Sequence, residues 1–146
     1  MKRTSFKRSR KLFRKSSKSL KGKLWRIFSE YIRRRDADED GLAICVTCGV
    51  TKHWRSMDPG HFIRQSKGLV SKFHEQNCHN QCRACNFSEQ GNQHLHGLYI
   101  DRRYGPGTAD RIRRETEETR KISGTEYEEL ILKYEGKLKE LTRGGG

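Results

Sequence analysis

The chain has 146 residues, of which 32% are hydrophobic and 34% charged, and its formal net charge is +14. That length holds one domain of ordinary size, and so little apolar material argues against a single large core, so the fold needs a disulfide or metal staple. No apolar run is long enough to span a bilayer, and the basic start of the chain lacks the apolar stretch of a secretory signal.

The charge is uneven. Residues 1–35 carry fifteen Lys or Arg against one acid, Glu30, whereas residues 36–146 carry seventeen of each. This is a basic arm on a near-neutral body, and its natural partner is a polyanion. Only Phe6, Leu12 and Phe13 offer apolar anchors before residue 20, so the chain reads as a nucleic-acid binder rather than a membrane binder. Residues 1–19 read as a disordered arm that orders on its partner, with Arg3, Lys7, Arg8, Arg10, Lys11, Arg14 and Lys15 as phosphate contacts. In a reducing, nucleic-acid-containing compartment the five cysteines are metal ligands rather than disulfides.

Residues 20–142 read as the folded domain, with a core at about 42–100 and a flexible tail at 143–146. Leu24, Ile27, Phe28, Tyr31 and Ile32 recur at three- and four-residue spacing and predict a helix from about Leu20 to Asp36. "DADEDG" ends it in an acidic turn. "LAICVTCGVTKHW" reads as a strand running into a cysteine knuckle, 52–75 as loop and short strand, and 80–92 as the start of a short helix. After "YGPG", residues 108–121 and 125–142 predict two further helices. The second carries a stripe of Tyr127, Leu130, Ile131, Tyr134, Leu138 and Leu141, with Thr125 as its N-cap. That stripe serves either a dimer interface or the chain's own core.

Cys45-x-x-Cys48 and Cys82-x-x-Cys85 are two CxxC pairs. Each such turn points two thiolates at one cation, and two turns complete the tetrahedron that Zn²⁺ prefers at about 2.3 Å. Four sulfur ligands leave no open position, so this is a structural zinc. Cys78 is left over as a packing residue.

Around the second pair, "MDPGHF" and "NCHNQCRACN" place His61, Asn77 and Asn86 in a pattern that resembles the HNH, or ββα-metal, nucleases. In those enzymes a His ends the first strand, an Asn precedes a Cys pair by about five residues, and a His or Asn follows it. The form with a final Asn and a four-cysteine zinc is similar to that of endonuclease VII. "FSEYIRRRDAD", "CVTCG", "DPGHF", "NCHNQCRACN", "GN" at 91–92 and "EYEELILKYEGKL" together resemble the NinG (Rap) family of phage recombination endonucleases, over roughly residues 20–142. The resemblance implies an α+β fold, a small ββα-metal core with flanking helices. It implies a DNA endonuclease acting on Holliday junctions and D-loops in the bacterial cytoplasm during phage infection, alongside phage or host recombination proteins.

Phosphodiester hydrolysis asks for the same residue types independently: a base that is neutral near pH 7 and a hard divalent cation on oxygen ligands. His61 is the expected base, Asp58 and the side-chain oxygen of Asn86 the ligands of Mg²⁺ or Mn²⁺, and Asn77 the residue that orients the imidazole. Asp58 has an alternative role, capping a turn before Pro59. Two positions depart from the pattern: Gly60 stands where an acid often precedes the base, and "FSEQ" replaces a basic residue after the Cys pair, leaving Arg64 or Arg83 to supply charge. His79 is a further candidate for metal or phosphate, while His53, His74, His94 and His96 are bystanders. A symmetric dimer would suit a two-fold junction. The competing function is a zinc-ribbon nucleic-acid-binding module without chemistry.

Overall fold

The computed structural model describes residues 17–144; the calls on the arm, Arg3 through Lys15 included, lie outside them apart from its last residues. Helix α1 (Ser17–Arg35) leads into two antiparallel hairpins, β1 (Leu42–Ile44) with β2 (Thr51–His53) and β3 (Asp58–His61) with β4 (Cys78–Gln81). Between β3 and β4 runs a loop with one short helix, α2 (Leu69–Lys72), and after β4 come α3 (Gln93–Tyr104), α4 (Thr108–Glu117) and α5 (Gly124–Gly144). The chain is thus a mixed α+β fold of two-stranded sheets and helices. No helix among the described residues is long and apolar enough to cross a membrane.

Helices α1 and α5 pair along their apolar stripes. Leu20, Leu24, Phe28, Tyr31 and Ile32 bury against Tyr127, Ile131 and Tyr134, and Phe73 and Cys78 close the same cluster from below the first helix. Phe28 meets Tyr134 edge-on at 5.0 Å and Phe73 edge-on at 5.6 Å, the arrangement that ring quadrupoles favour. The stripe of α5 is therefore consumed inside the chain and is not available as a dimer face. Cys78 is wholly buried there, as a packing residue should be.

Several local expectations need correction. Helix α1 starts at Ser17, inside the segment read as an arm, and α5 continues to Gly144, into the segment read as a tail. The cap of α5 is Ser123, not Thr125: Ser123 Oγ accepts from the Glu126 N–H at 3.2 Å and its carbonyl from the Tyr127 N–H. Helix α3 was not legible at all, because Gly97 sits in its middle and its polar and apolar residues do not segregate. Gly97 is there for contact, since an added Cβ would stand 3.0 Å from the Phe62 ring. The turn after the second cysteine pair is a wide, π-type one at Ala84–Ser88, a form often found at functional sites.

The second hairpin and α3 are joined to the end of α1 by polar ties. Arg35 bridges Asp36 at 2.9 Å and donates to the carbonyls of Glu75 and Cys78, while Arg103 of α3 reaches the same Asp36 at 2.8 Å. Asn80 of β4 donates to the carbonyl of Arg33. The end of α1 is thereby fixed against the strand that precedes the second cysteine pair.

Candidate metal centre and active site

The two knuckles converge. The Sγ atoms of Cys45, Cys48, Cys82 and Cys85 all lie within 4.8 Å of one another, with Cys48 exposed and the other three buried. Cys48 and Cys82 sulfurs stand 3.7 Å apart, close to the edge of about 3.8 Å of a tetrahedron with zinc–sulfur bonds near 2.3 Å. Gly49, at φ +82°, closes the first knuckle by sending its N–H to the Cys45 carbonyl, a conformation open to glycine. Burial alone would raise the Cys45 thiol, but hydrogen bonds from the Thr47 side chain and from neighbouring backbone N–H groups bring it down to about 6. The donor set fits a tetrahedral, closed metal site, and Ala43, Met57 and Trp54 pack around it.

The β3–β4 hairpin carries the second group of residues, in the register Asp58↔Gln81, Pro59↔Asn80, Gly60↔His79 and His61↔Cys78. His61 Nε2 lies 3.0 Å from the Lys72 carbonyl oxygen, an atom that can only accept, so Nε2 carries the proton and Nδ1 keeps its lone pair. Burial holds the imidazole below its ordinary pKa and the Lys72 ammonium adds to this, outweighing the Lys72 carbonyl, which favours the proton. The ring stacks on Trp25 at 5.6 Å. His61 is neutral near pH 7, with one nitrogen available to take a proton.

Asn86 donates from Nδ2 to Asp58 Oδ2 at 3.2 Å, which leaves its side-chain oxygen for another partner. Its own N–H bonds to the Cys82 carbonyl, so the residue is anchored to the second cysteine turn. Asp58 thus faces Asn86 rather than capping a turn before Pro59. Asn86 and His61 line one open cleft of about 420 Å³, together with Arg64, Gln65, Ser66, Gln90 and Gly91. Of the two arginines proposed to supply charge, Arg64 borders this cleft and the exposed Arg83 does not.

Asn77 is fully buried and does not touch the imidazole. Its Oδ1 accepts from the Ile63 N–H at 2.7 Å, and its Nδ2 donates to the carbonyls of Ile63 and Ser71, each at 2.9 Å. It therefore clamps the two ends of the loop between β3 and α2. Lys72, beside one clamped residue, offers the carbonyl that holds His61, so Asn77 positions the His61 imidazole through the backbone.

His79 is also fully buried, and its role as a metal or phosphate contact is overturned. Its Nδ1 meets His96 Nε2 at 2.9 Å and its Nε2 meets the Tyr104 hydroxyl at 2.9 Å. Burial depresses both rings, that of His96 to about 3. These are neutral core histidines.

The residue that sequence reasoning missed is Gln81. Its side chain lies across Gly60, where any Cβ would collide with the amide, and its Nε2 donates to the Gly91 carbonyl at 2.8 Å and to Thr47 Oγ1 at 3.2 Å. Gly60 is thus required by packing, and that explains why no acid precedes His61. Gln81 ties the first cysteine knuckle to the wall of the cleft. No local signal could have found it, because the contact is set by strand register.

No curated protein and no solved structure matches the chain. The family described as "Bacteriophage Lambda NinG protein" matches it over residues 1–144, and the chain belongs to that family.

Proposed function

We propose that this protein is a metal-dependent, structure-selective DNA endonuclease that hydrolyses phosphodiester bonds in branched recombination intermediates. Membership of the NinG family implies a phage protein related to recombination. The observation that carries the nuclease reading is the Lys72 carbonyl on His61 Nε2, which leaves a neutral imidazole with Nδ1 unprotonated, at a cleft that His61 shares with Asn86, the partner of Asp58. A pure zinc-binding module has no use for that arrangement. The β3–β4 hairpin followed by the turn at Asn86 then serves as a ββα-metal core of the HNH type, with the four-cysteine zinc as its staple, as in the endonuclease VII pattern.

In this reading His61 Nδ1 takes a proton from water, the resulting hydroxide attacks phosphorus, and the phosphorus–oxygen bond opposite breaks. The leaving oxygen takes a proton from solvent. The Asp58 carboxylate and the Asn86 side-chain oxygen are hard donors that fit Mg²⁺ or Mn²⁺, and such an ion, when bound, supplies charge stabilisation at the phosphate. Arg64 binds phosphate at the cleft wall. Recognition is by backbone and shape, with the basic arm adding sequence-independent affinity.

The test is cleavage of a four-way junction and of linear duplex in Mg²⁺ by wild type and His61→Ala. We expect junction cleavage by wild type and a loss of at least about a hundredfold in the variant, with zinc content and junction binding retained. Junction binding without cleavage by the wild-type protein, in Mg²⁺ and in Mn²⁺, would instead establish the zinc-ribbon binding module.

A further inference from the structure

Trp54 lies on the turn after β2 and packs its ring against the buried cysteine cluster. Three guanidinium groups converge on that ring. The carbons at the centres of the Arg33 and Arg34 groups lie 5.2 Å from the ring centroid, and that of Arg55 lies 4.6 Å away. Like charges do not gather without cause. The indole face compensates part of the repulsion, at about 0.5–1 kcal/mol per exposed contact. Acids compensate little more: Arg34 pairs with Glu30 at 3.0 Å, whereas Arg33 and Arg55 have no carboxylate within ion-pair distance among the described residues. Arg55 is exposed, and Arg33 sends its Nε to the Ser29 carbonyl in its own helix.

The position of this cluster matters as much as its charge. The Glu30 and Asp58 carboxylates both act electrostatically on the half-buried Arg33, which places the cluster near Asp58 at the start of β3. Its backbone is also fixed to the hairpin that carries the site, because Asn80 Nδ2 donates to the Arg33 carbonyl at 3.1 Å. Arg35, the next residue, is turned into the interior on Asp36 and takes no part. A hollow bordered by Trp54, Arg34 and Arg55 also carries Asp38, Glu39, Asp40 and Glu140, and these acids would repel a polyanion. Arg33 is absent from that wall, so the phosphate is expected from the Arg33 side of the ring rather than from the hollow.

We propose that Arg33, Arg34 and Arg55, arrayed on Trp54, form a binding site for a DNA backbone phosphate flanking the scissile bond. The site rests on the nuclease reading of the His61–Asn86 cleft for its place along the DNA. The cysteine cluster holds the ring, the ring holds the guanidiniums, and the guanidiniums are thereby ordered before DNA arrives, which lowers the entropy lost on binding. It gives the cysteine cluster a second task, linking the metal staple to substrate affinity.

The experiment measures binding of the full chain to a four-way junction without added divalent ion, so that no cleavage intervenes, across a salt series. Wild type is compared with Arg33→Gln/Arg55→Gln, with Arg33→Lys/Arg55→Lys, and with Arg120→Gln, a distant residue paired with Glu126. Each lost phosphate contact lowers the slope of log affinity against log salt by about 0.9. We expect the double Gln variant, which gives up this one phosphate contact, to lose about 0.9 from that slope and roughly tenfold in affinity at about 0.1 M salt. The double Lys variant should keep most of the slope, and Arg120→Gln all of it. Should the double Gln variant lose zinc or melt early, the exposed Arg55→Gln alone is expected to lower both slope and affinity by part of that amount, in the same direction. A slope equal to wild type in a folded Gln variant overturns the site. Failure of junction cleavage in the His61 experiment would remove the nuclease reading and leave this binding result standing.

Discussion

Replacing Asn77 by Ala separates two ways in which that residue could serve the site. The change strips one acceptor and two donors from a fully buried position, leaving the Ile63 N–H and the Ile63 and Ser71 carbonyls without those partners. At about 1 kcal/mol net for each bond, and more where the stranded group stays dry, the cost comes to roughly 3–5 kcal/mol. A domain of this size has only about 5–15 kcal/mol in total, so the clamp is a large part of it. Thermal unfolding followed by circular dichroism should therefore show a fall of about 10 °C or more. Junction cleavage at low temperature, where the fold persists, should drop less than in His61→Ala, because the base is still present and only its aim suffers. An unshifted melting temperature would refute the clamp. An unshifted melting temperature together with complete loss of cleavage would place Asn77 in the chemistry itself.

Cys82→Ser removes one of four sulfurs from a site whose metal holds two otherwise separate knuckles, so zinc should be lost and the protein should unfold or aggregate; a soluble Cys82→Ser protein with native circular dichroism would count against a structural metal. The His79–His96 pair makes the fold acid-sensitive. His96 is depressed to about 3 against an ordinary 6.5, so the unfolded chain takes up protons first and stability falls as pH drops below about 6.5 toward 3. Between pH 6.5 and pH 5 that amounts to about 2 kcal/mol for His96, read as a falling urea midpoint that His96→Gln should flatten. The cleavage rate should rise with pH through a value below 6.5 and level off by neutrality, since the depressed His61 must lose its proton to act as base; a rate still climbing steeply above pH 8 would point to another base.

What the sequence by itself determined were features whose cause is local. Two CxxC turns need only their own spacing to aim sulfurs at a metal, and the stripes of Leu24, Phe28 and Ile32 and of Tyr127, Ile131 and Tyr134 follow from helical period. His61 at a strand end and Asn86 after a cysteine pair could likewise be picked out by offset, and the structure brings both to one cleft. The tertiary structure decided the rest. It set α5 against α1 and so spent the stripe that the sequence left open to a dimer. It buried His79 against His96 and Tyr104, residues 17 and 25 positions away, where proximity in the chain had suggested the cleft. It laid Gln81 over Gly60 through a cross-strand register that no spacing encodes, and it gave Asn77 a backbone clamp in place of an imidazole contact. The physical reason is common to all of these. Period and turn chemistry act over a few residues, whereas the partner of a buried polar group is chosen by which distant segment arrives with the matching donor or acceptor.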